Sequence, residues 1–391
     1  MSISMYFEPV SLPDFGVSGN SEHKRFGEII SVFDSTDHFP DLENADLALI
    51  GVTEDRNSVN NEGCGLAPDY VRAFLYKLYP GNYIPRIVDL GNIKKGHSVE
   101  DTYFALSSVI AELLAAHIVP VLIGGGQDLT YANFRAYENL GRIINIVSVD
   151  QSFDLGESEK KVNSQSFLSR IILHQPNYLF NYTNIGFQTY FVDQDAINLM
   201  KKLFFDAYRL GVVQKNITMV EPLVRNADML TFDISAIRMS DAPACGNASP
   251  NGFYGEEACQ IARYAGMSDK LSSVGFYEMN PTFDRQGQTA HLLSQMIWYF
   301  IDGYYNRKQD FPGEEADDFI RYTVQVSGHD DGIVFYKSKK SARWWMEIDC
   351  SPGVKAKFGH HYLVPCDYSD YTTACADEIP DRWWLMYQKL M

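Results

Sequence analysis

The chain has 391 residues, of which 46% are hydrophobic and 14% aromatic; this is enough apolar material for a large core and excludes compositional disorder. Fifty acidic residues against 33 basic ones leave a net charge of −17, which repels phosphate backbones and anionic membranes and argues against nucleic acid as a partner. Met1 to Gly16 has no basic start followed by an apolar run, and no segment approaches the ~20 apolar residues of a membrane span, so a cytoplasmic location without membrane insertion is expected. The six cysteines (Cys64, Cys245, Cys259, Cys350, Cys366 and Cys375) contain no CxxC pair and read as reduced structural thiols.

From about residue 46, short runs of Val, Ile and Leu alternate with longer segments of helical period, the pattern of a mainly parallel sheet with helices on both faces. Eight strands are predicted: Ala48–Val52, Arg86–Leu90, Val119–Ile123, Ile143–Val149, Thr183–Phe187, Ile217–Val220, Met229–Asp233 and Ser273–Tyr277. A helix is predicted over Ser98–His117, with Ser98 as cap and Asp101 three positions on at the positive end of the dipole. Its face of Leu106, Val109, Ile110, Leu113 and Leu114 is expected to lie on the sheet. Further helices are predicted over Tyr254–Ala265, closed by Gly266, and over Gln288–Tyr305.

After about Arg307 the rhythm breaks at the acidic run Asp310–Asp318, followed by the alternating stretch Arg343–Ile348 and the pair Trp383-Trp384. The organisation expected is therefore an N-terminal segment (1–45), a main domain (46–307) and an aromatic-rich appendage (308–391). That appendage either covers a flank of the main domain or offers a surface to a protein partner. The Cys and His residues within it (Cys350, His360, His361, Cys366, Cys375) are too irregularly spaced to mark a zinc site.

Ligands of open parallel sheets bind beyond the carboxyl ends of the strands. Four such ends are polar here: Gly124-Gly125-Gly126-Gln127-Asp128, Asp150-Gln151-Ser152-Phe153-Asp154, Asp233-Ile234-Ser235 and Glu278-Met279-Asn280-Pro281. The triple glycine lacks the spacing of a dinucleotide loop and the Gly-Lys-Ser/Thr ending of a triphosphate loop. Three strand-end aspartates and a glutamate point instead to coordination of a hard metal ion.

In this order the motifs resemble those of the ureohydrolase family of arginases, agmatinases and formimidoylglutamases, from about Asp46 to Tyr305. The resemblance rests also on Gly51, on Gly63-Cys64-Gly65-Leu66-Ala67-Pro68 with Val71-Arg72, and on Val88-Asp89-Leu90-Gly91. Ser240-Asp241-Ala242-Pro243 is most similar to the formimidoylglutamase branch. The resemblance implies a three-layer αβα fold, trimers or hexamers, and two manganese ions held by six side chains. Carried over position by position, it implies that Asp150, Asp154 and Asp233 keep ligand identities. Gln127 and Ser152 stand where the family has histidines, and Ser235 stands where it has an aspartate. Glu278 matches the glutamate that contacts the amidine or guanidine end of the substrate.

The expectation is a family member that has lost the manganese pair and its hydrolytic activity and is retained for binding or assembly. Either no metal or a single Mg, Ca or Mn ion on Asp150, Asp154, Asp233 and Gln127 is expected. Two alternatives stand beside it: a one-metal hydrolase of linear amidines, and a sensor that holds a cationic amine or guanidinium. Arg238, five residues after Asp233, is a candidate counter-charge for the aspartates if no metal binds.

Overall fold

The computed structural model describes residues 3–10, 24–36, 39–156, 161–312 and 316–391. Of the segments read above, residues 1–2 and 11–16 of the N-terminal stretch, 313–315 of the acidic run and the side chain of His360 lie outside the described residues. The apolar runs form one ten-stranded sheet built from β1 (Phe7–Glu8), β2 (Ser31–Val32), β3 (Leu47–Val52), β4 (Ile87–Ile93), β5 (Val119–Ile123), β6 (Ile144–Val149), β7 (Leu179–Phe187), β8 (Asp206–Arg209), β9 (Met229–Asp233) and β10 (Ser273–Tyr277). Their order is β1-β4-β3-β5-β10-β9-β6-β7-β8, with β2 also on β4. Every pairing is parallel except that of β1 with β4.

Every residue of β3, β5, β6, β9 and β10 is buried, as strands covered on both faces require. One face packs on the helices Ala67–Leu75, Val220–Arg225, Gly255–Gly266 and Gln288–Tyr305. The other packs on Val99–Ala115, Leu129–Asn139 and Phe167–Leu173. The architecture is the three-layer αβα arrangement expected, with ten strands in the sheet where the sequence suggested eight. Residues before 45 supply two of them.

One predicted strand is a misreading. Ile217–Val220 is the start of a helical stretch, a 3-10 turn at Ile217–Met219 running into Val220–Arg225, and the strand in this part of the chain is Asp206–Arg209. That segment carries two charges and alternates half-buried with exposed residues, as an edge strand does, so it offers no apolar run to read.

The last part of the chain forms a second, wholly antiparallel sheet of β11 (Phe319–Val326), β12 (His329–Ser338), β13 (Trp344–Glu347) and β14 (Leu363–Cys366). It has its own core around Phe335, Trp344, Met346 and Trp383. It meets the main sheet beside β7 and β8: His361 stacks on Phe180 at 4.4 Å, and Lys389 bonds Asn181. Arg225 reaches across to Trp344 O and Cys366 O at 3.0–3.1 Å and lies over the Trp345 ring. Among the described residues no helix is long and apolar enough to cross a membrane.

Candidate functional site

The strands β5, β10, β9 and β6 are neighbours in that order, so their carboxyl ends bring Gln127, Glu278, Asp233 and Asp150 to one place. The glycines after β5 serve backbone packing: Gly124 and Gly125 have φ of +85° and +77°. A Cβ at Gly124 would meet the Pro68 ring at 2.7 Å, and one at Gly125 would meet Glu54 O at 2.6 Å. This tight turn delivers Gln127 to the start of the helix Leu129–Asn139.

Asp150, Asp154 and Asp233 are all buried. Asp150 accepts from Ser152 N at 2.9 Å, and Asp233 accepts from Ser235 N at 2.7 Å. The Ser152 hydroxyl donates to Asp154 at 2.8 Å and lies 3.4 Å from Asp150, so it sits between the two carboxylates. No cationic side chain is among the groups that chiefly act on these aspartates. Burial and then the Asp150 charge push Asp233 up to about 8, and burial pushes Asp154 up to about 7. Asp150 is pushed well above the carboxylate range by burial and by Asp154. Arg238 does not fill the gap, because it pairs with Asp241 at 2.9 Å and lies 3.8 Å over the Tyr254 ring.

Gln127 is fully buried; its Nε2 donates to Thr231 Oγ1 at 2.8 Å while its Oε1 has no partner. Glu278 stands at φ +67°, a left-handed conformation that non-glycine residues seldom adopt. Its carboxylate accepts from Gln127 N at 2.7 Å, from Ser58 Oγ at 2.7 and 2.9 Å and from Asn61 Nδ2 at 2.7 Å. With 1% exposure and those donors around it, this carboxylate is held by the protein itself. Burial, then the Asp233 charge, pushes it up to about 7.

Outside the aspartates lies a cleft of about 540 Å³ lined by Ser152, Phe153, Asp154, Phe191, Asp193 and Asn247, among others. Among the described residues its lining includes acids but no Lys, Arg or His. His174 pairs with Glu138 at 2.9 Å and His291 stacks on Phe74 at 5.1 Å, and neither lines this cleft.

The arginase family profile matches residues 45–302, about two thirds of the chain. The chain belongs to the arginase family. Among its curated relatives is a formimidoylglutamase of Staphylococcus aureus, 26% identical over 268 residues that cover 65% of this chain and 85% of the relative. A crystal structure of Trypanosoma cruzi formiminoglutamase, solved with Mn2+, superposes with a TM-score of 0.66 at 20% identity and covers 73% of this chain and all of that one. The formimidoylglutamase of Bacillus subtilis superposes with a TM-score of 0.66 at 19% identity, covering 76% of this chain and 97% of its own. At those identities the two structures establish the fold.

The family resemblance implies a binuclear manganese pair, and at three of the positions it maps this chain carries the neutral side chains of Gln127, Ser152 and Ser235. An imidazole nitrogen suits manganese; the amide of Gln127 is tied to Thr231 and the hydroxyl of Ser152 is spent as a donor to Asp154. Sequence reasoning missed Ser58 and Asn61, which hold Glu278 from a loop about 220 positions away, and read Asp128 only as part of the strand end Gly124–Asp128 without giving it a role. Asp128 is buried beside Tyr103 and Glu278 and is pushed up to about 7 by burial. No motif marks Ser58 and Asn61; their signal is three-dimensional.

Proposed function

We propose that this arginase-family chain has lost the manganese pair and the hydrolysis of amidines and guanidines, and is retained to bind a ligand in its cleft. The observation that carries this reading is the Ser152 hydroxyl set between Asp150 and Asp154, where a metal-binding imidazole is expected. A binuclear centre works by lowering the pKa of a shared water, and three of the six ligand positions (Gln127, Ser152, Ser235) now carry neutral oxygen groups. The locked state of Glu278 supports the same reading, because a carboxylate with both oxygens engaged by Ser58, Asn61 and Gln127 N has little left for a substrate amidine. Asp150, Asp154, Asp233 and Gln127 offer oxygen donors for at most one Mg, Ca or Mn ion.

The cleft lining favours a cationic amine or guanidinium over an acidic compound. Formimidoylglutamate carries two carboxylates, and a wall whose described residues include acids and no basic side chain repels both. Thermal shift with agmatine, putrescine and formimidoylglutamate, run beside assays for urea and formamide release, tests the proposal. A rise in melting temperature with the cations alone and no product is expected. Product release from any of them, or stabilisation by formimidoylglutamate only, contradicts it.

A further inference from the structure

A second cleft, of about 390 Å³, lies further along the carboxyl edge of the main sheet, beyond β7 and β8, with Arg209, Arg238, Tyr190 and Tyr254 on its walls. The parallel register sets Arg209, the last residue of β8, opposite Phe187, the last of β7. Arg209 therefore stands at a strand end, where open parallel sheets take their ligands. Arg238 comes from the other side, where the bridges Ile237–Phe253 and Arg238–Ser249 hold two stretches of loop together. Gly252 permits that close approach, since a Cβ there would meet Arg238 N at 2.3 Å.

The chain carries 50 acids against 33 basic residues, yet among the described residues this lining has two arginines and no Asp or Glu. The cleft beside the aspartates, which shares Pro250 with it, has the opposite character, with Asp154 and Asp193 on its wall. The Arg209 side chain is exposed and makes no hydrogen bond or ion pair with a described residue. Arg238 is fixed through one nitrogen: its Nε donates to Asp241 at 2.9 Å while the guanidinium lies 3.8 Å over the Tyr254 ring. Its two Nη groups bond no described residue, which leaves open the fork that pairs with an oxyanion.

The remaining wall is held by its own hydrogen bonds. Gln188 donates to Asn251 O at 3.0 Å, Asn251 donates to the Tyr190 hydroxyl at 3.2 Å, and that hydroxyl donates to Gln188. This ring of bonds fixes the Tyr190 side chain, which is 65% exposed. Phe187 and Leu210 add apolar surface.

We propose that this cleft binds a small organic oxyanion, a carboxylate or phosphate ester carried on a planar ring. Arg209 and Arg238 pair with the oxyanion, and the ring stacks on Tyr190. The negative net charge does not oppose this, because charges are screened beyond ~8 Å at physiological salt and the two nearby guanidiniums dominate the local field. The proposal is independent of the loss of hydrolysis, since it uses none of the residues around the aspartates.

The test is calorimetric titration of the full chain with benzoate and with AMP, each beside its neutral counterpart, benzamide or adenosine. Saturable binding of at least one oxyanion, tenfold or more tighter than its neutral counterpart, is expected, and the one that binds tells carboxylate from phosphate. Arg209→Gln should weaken that binding tenfold or more. Because Arg209 is exposed and unbonded, this variant should keep the melting temperature of the parent in the absence of ligand. Arg238→Lys, which keeps the charge and loses the fork, should weaken binding likewise. Binding of neither oxyanion, equal binding of the neutral counterpart, or an affinity unchanged in either variant overturns the proposal.

Discussion

On the function proposed above, Ser152 stands for an imidazole that would give a lone pair to a metal, and its hydroxyl gives its proton to Asp154. Restoring the family pattern with Gln127→His, Ser152→His and Ser235→Asp should therefore raise manganese uptake above that of the parent chain, measured by mass spectrometry of the dialysed protein. Unchanged uptake would mean that the backbone frame, and not only the ligands, has drifted. Glu278 teaches a related lesson. Asn61 donates to both its carboxylate and its carbonyl oxygen and accepts from Gly246 N at 2.7 Å. Asn61→Ala should destabilise the fold by about 2 kcal/mol or more, because it leaves buried groups unpaired; denaturant unfolding reads this directly. Gln127, Ser152 and Ser235 were singled out in the sequence because they fall inside ordered motifs. Ser58 and Asn61 were not, since nothing local in a polar loop records which carboxylate it will meet some 220 residues later.

At the scale of elements, local chemistry was legible wherever it is self-contained. The helix Val99–Ala115 begins where Ser98 caps it: Ser98 Oγ accepts from Asp101 N and Asp101 accepts from Ser98 N at 2.8 Å. Ser98→Ala should cost about 1 kcal/mol in the same unfolding assay without altering ligand binding. The central strands were legible for the same reason, as uninterrupted apolar runs. The edge was not. Asp206–Arg209 is polar because one side of it faces solvent, and Ile217–Met219 has β-branched residues yet turns, since the chain there is entering the helix that carries Arg225. In both places tertiary position overrides local preference.

Across the whole molecule, the C-terminal sheet is joined to the main sheet through buried polar groups. Arg225 is fully buried and paired with Glu221 at 3.0 Å while bonding two carbonyls of the second sheet. Arg225→Ala should lower the melting temperature and expose Trp345, seen as a red shift in tryptophan emission. Lys389 gives this junction a pH dependence. Burial lowers it from 10.5 to about 8, so the folded chain sheds this proton before the unfolded chain does. The cost of burying the charge is present in full below about pH 8 and fades as the pH rises towards 10.5. Lys389→Met should thus stabilise the chain at pH 7, by roughly 1 kcal/mol, and the difference from the parent should vanish near pH 10.5. The appendage was visible in the sequence as a change of rhythm. Its docking beside β7 and β8 was not, because those contacts join residues more than a hundred positions apart.

The deciding property of this chain is whether it can hold two manganese ions where Gln127, Ser152 and Ser235 stand at the positions of the expected ligands. The direct measurement is metal stoichiometry of the full chain after incubation with excess manganese, taken together with urea and formamide release from arginine, agmatine and formimidoylglutamate. No more than one equivalent of manganese and no product is the result expected. Two equivalents together with turnover would contradict it.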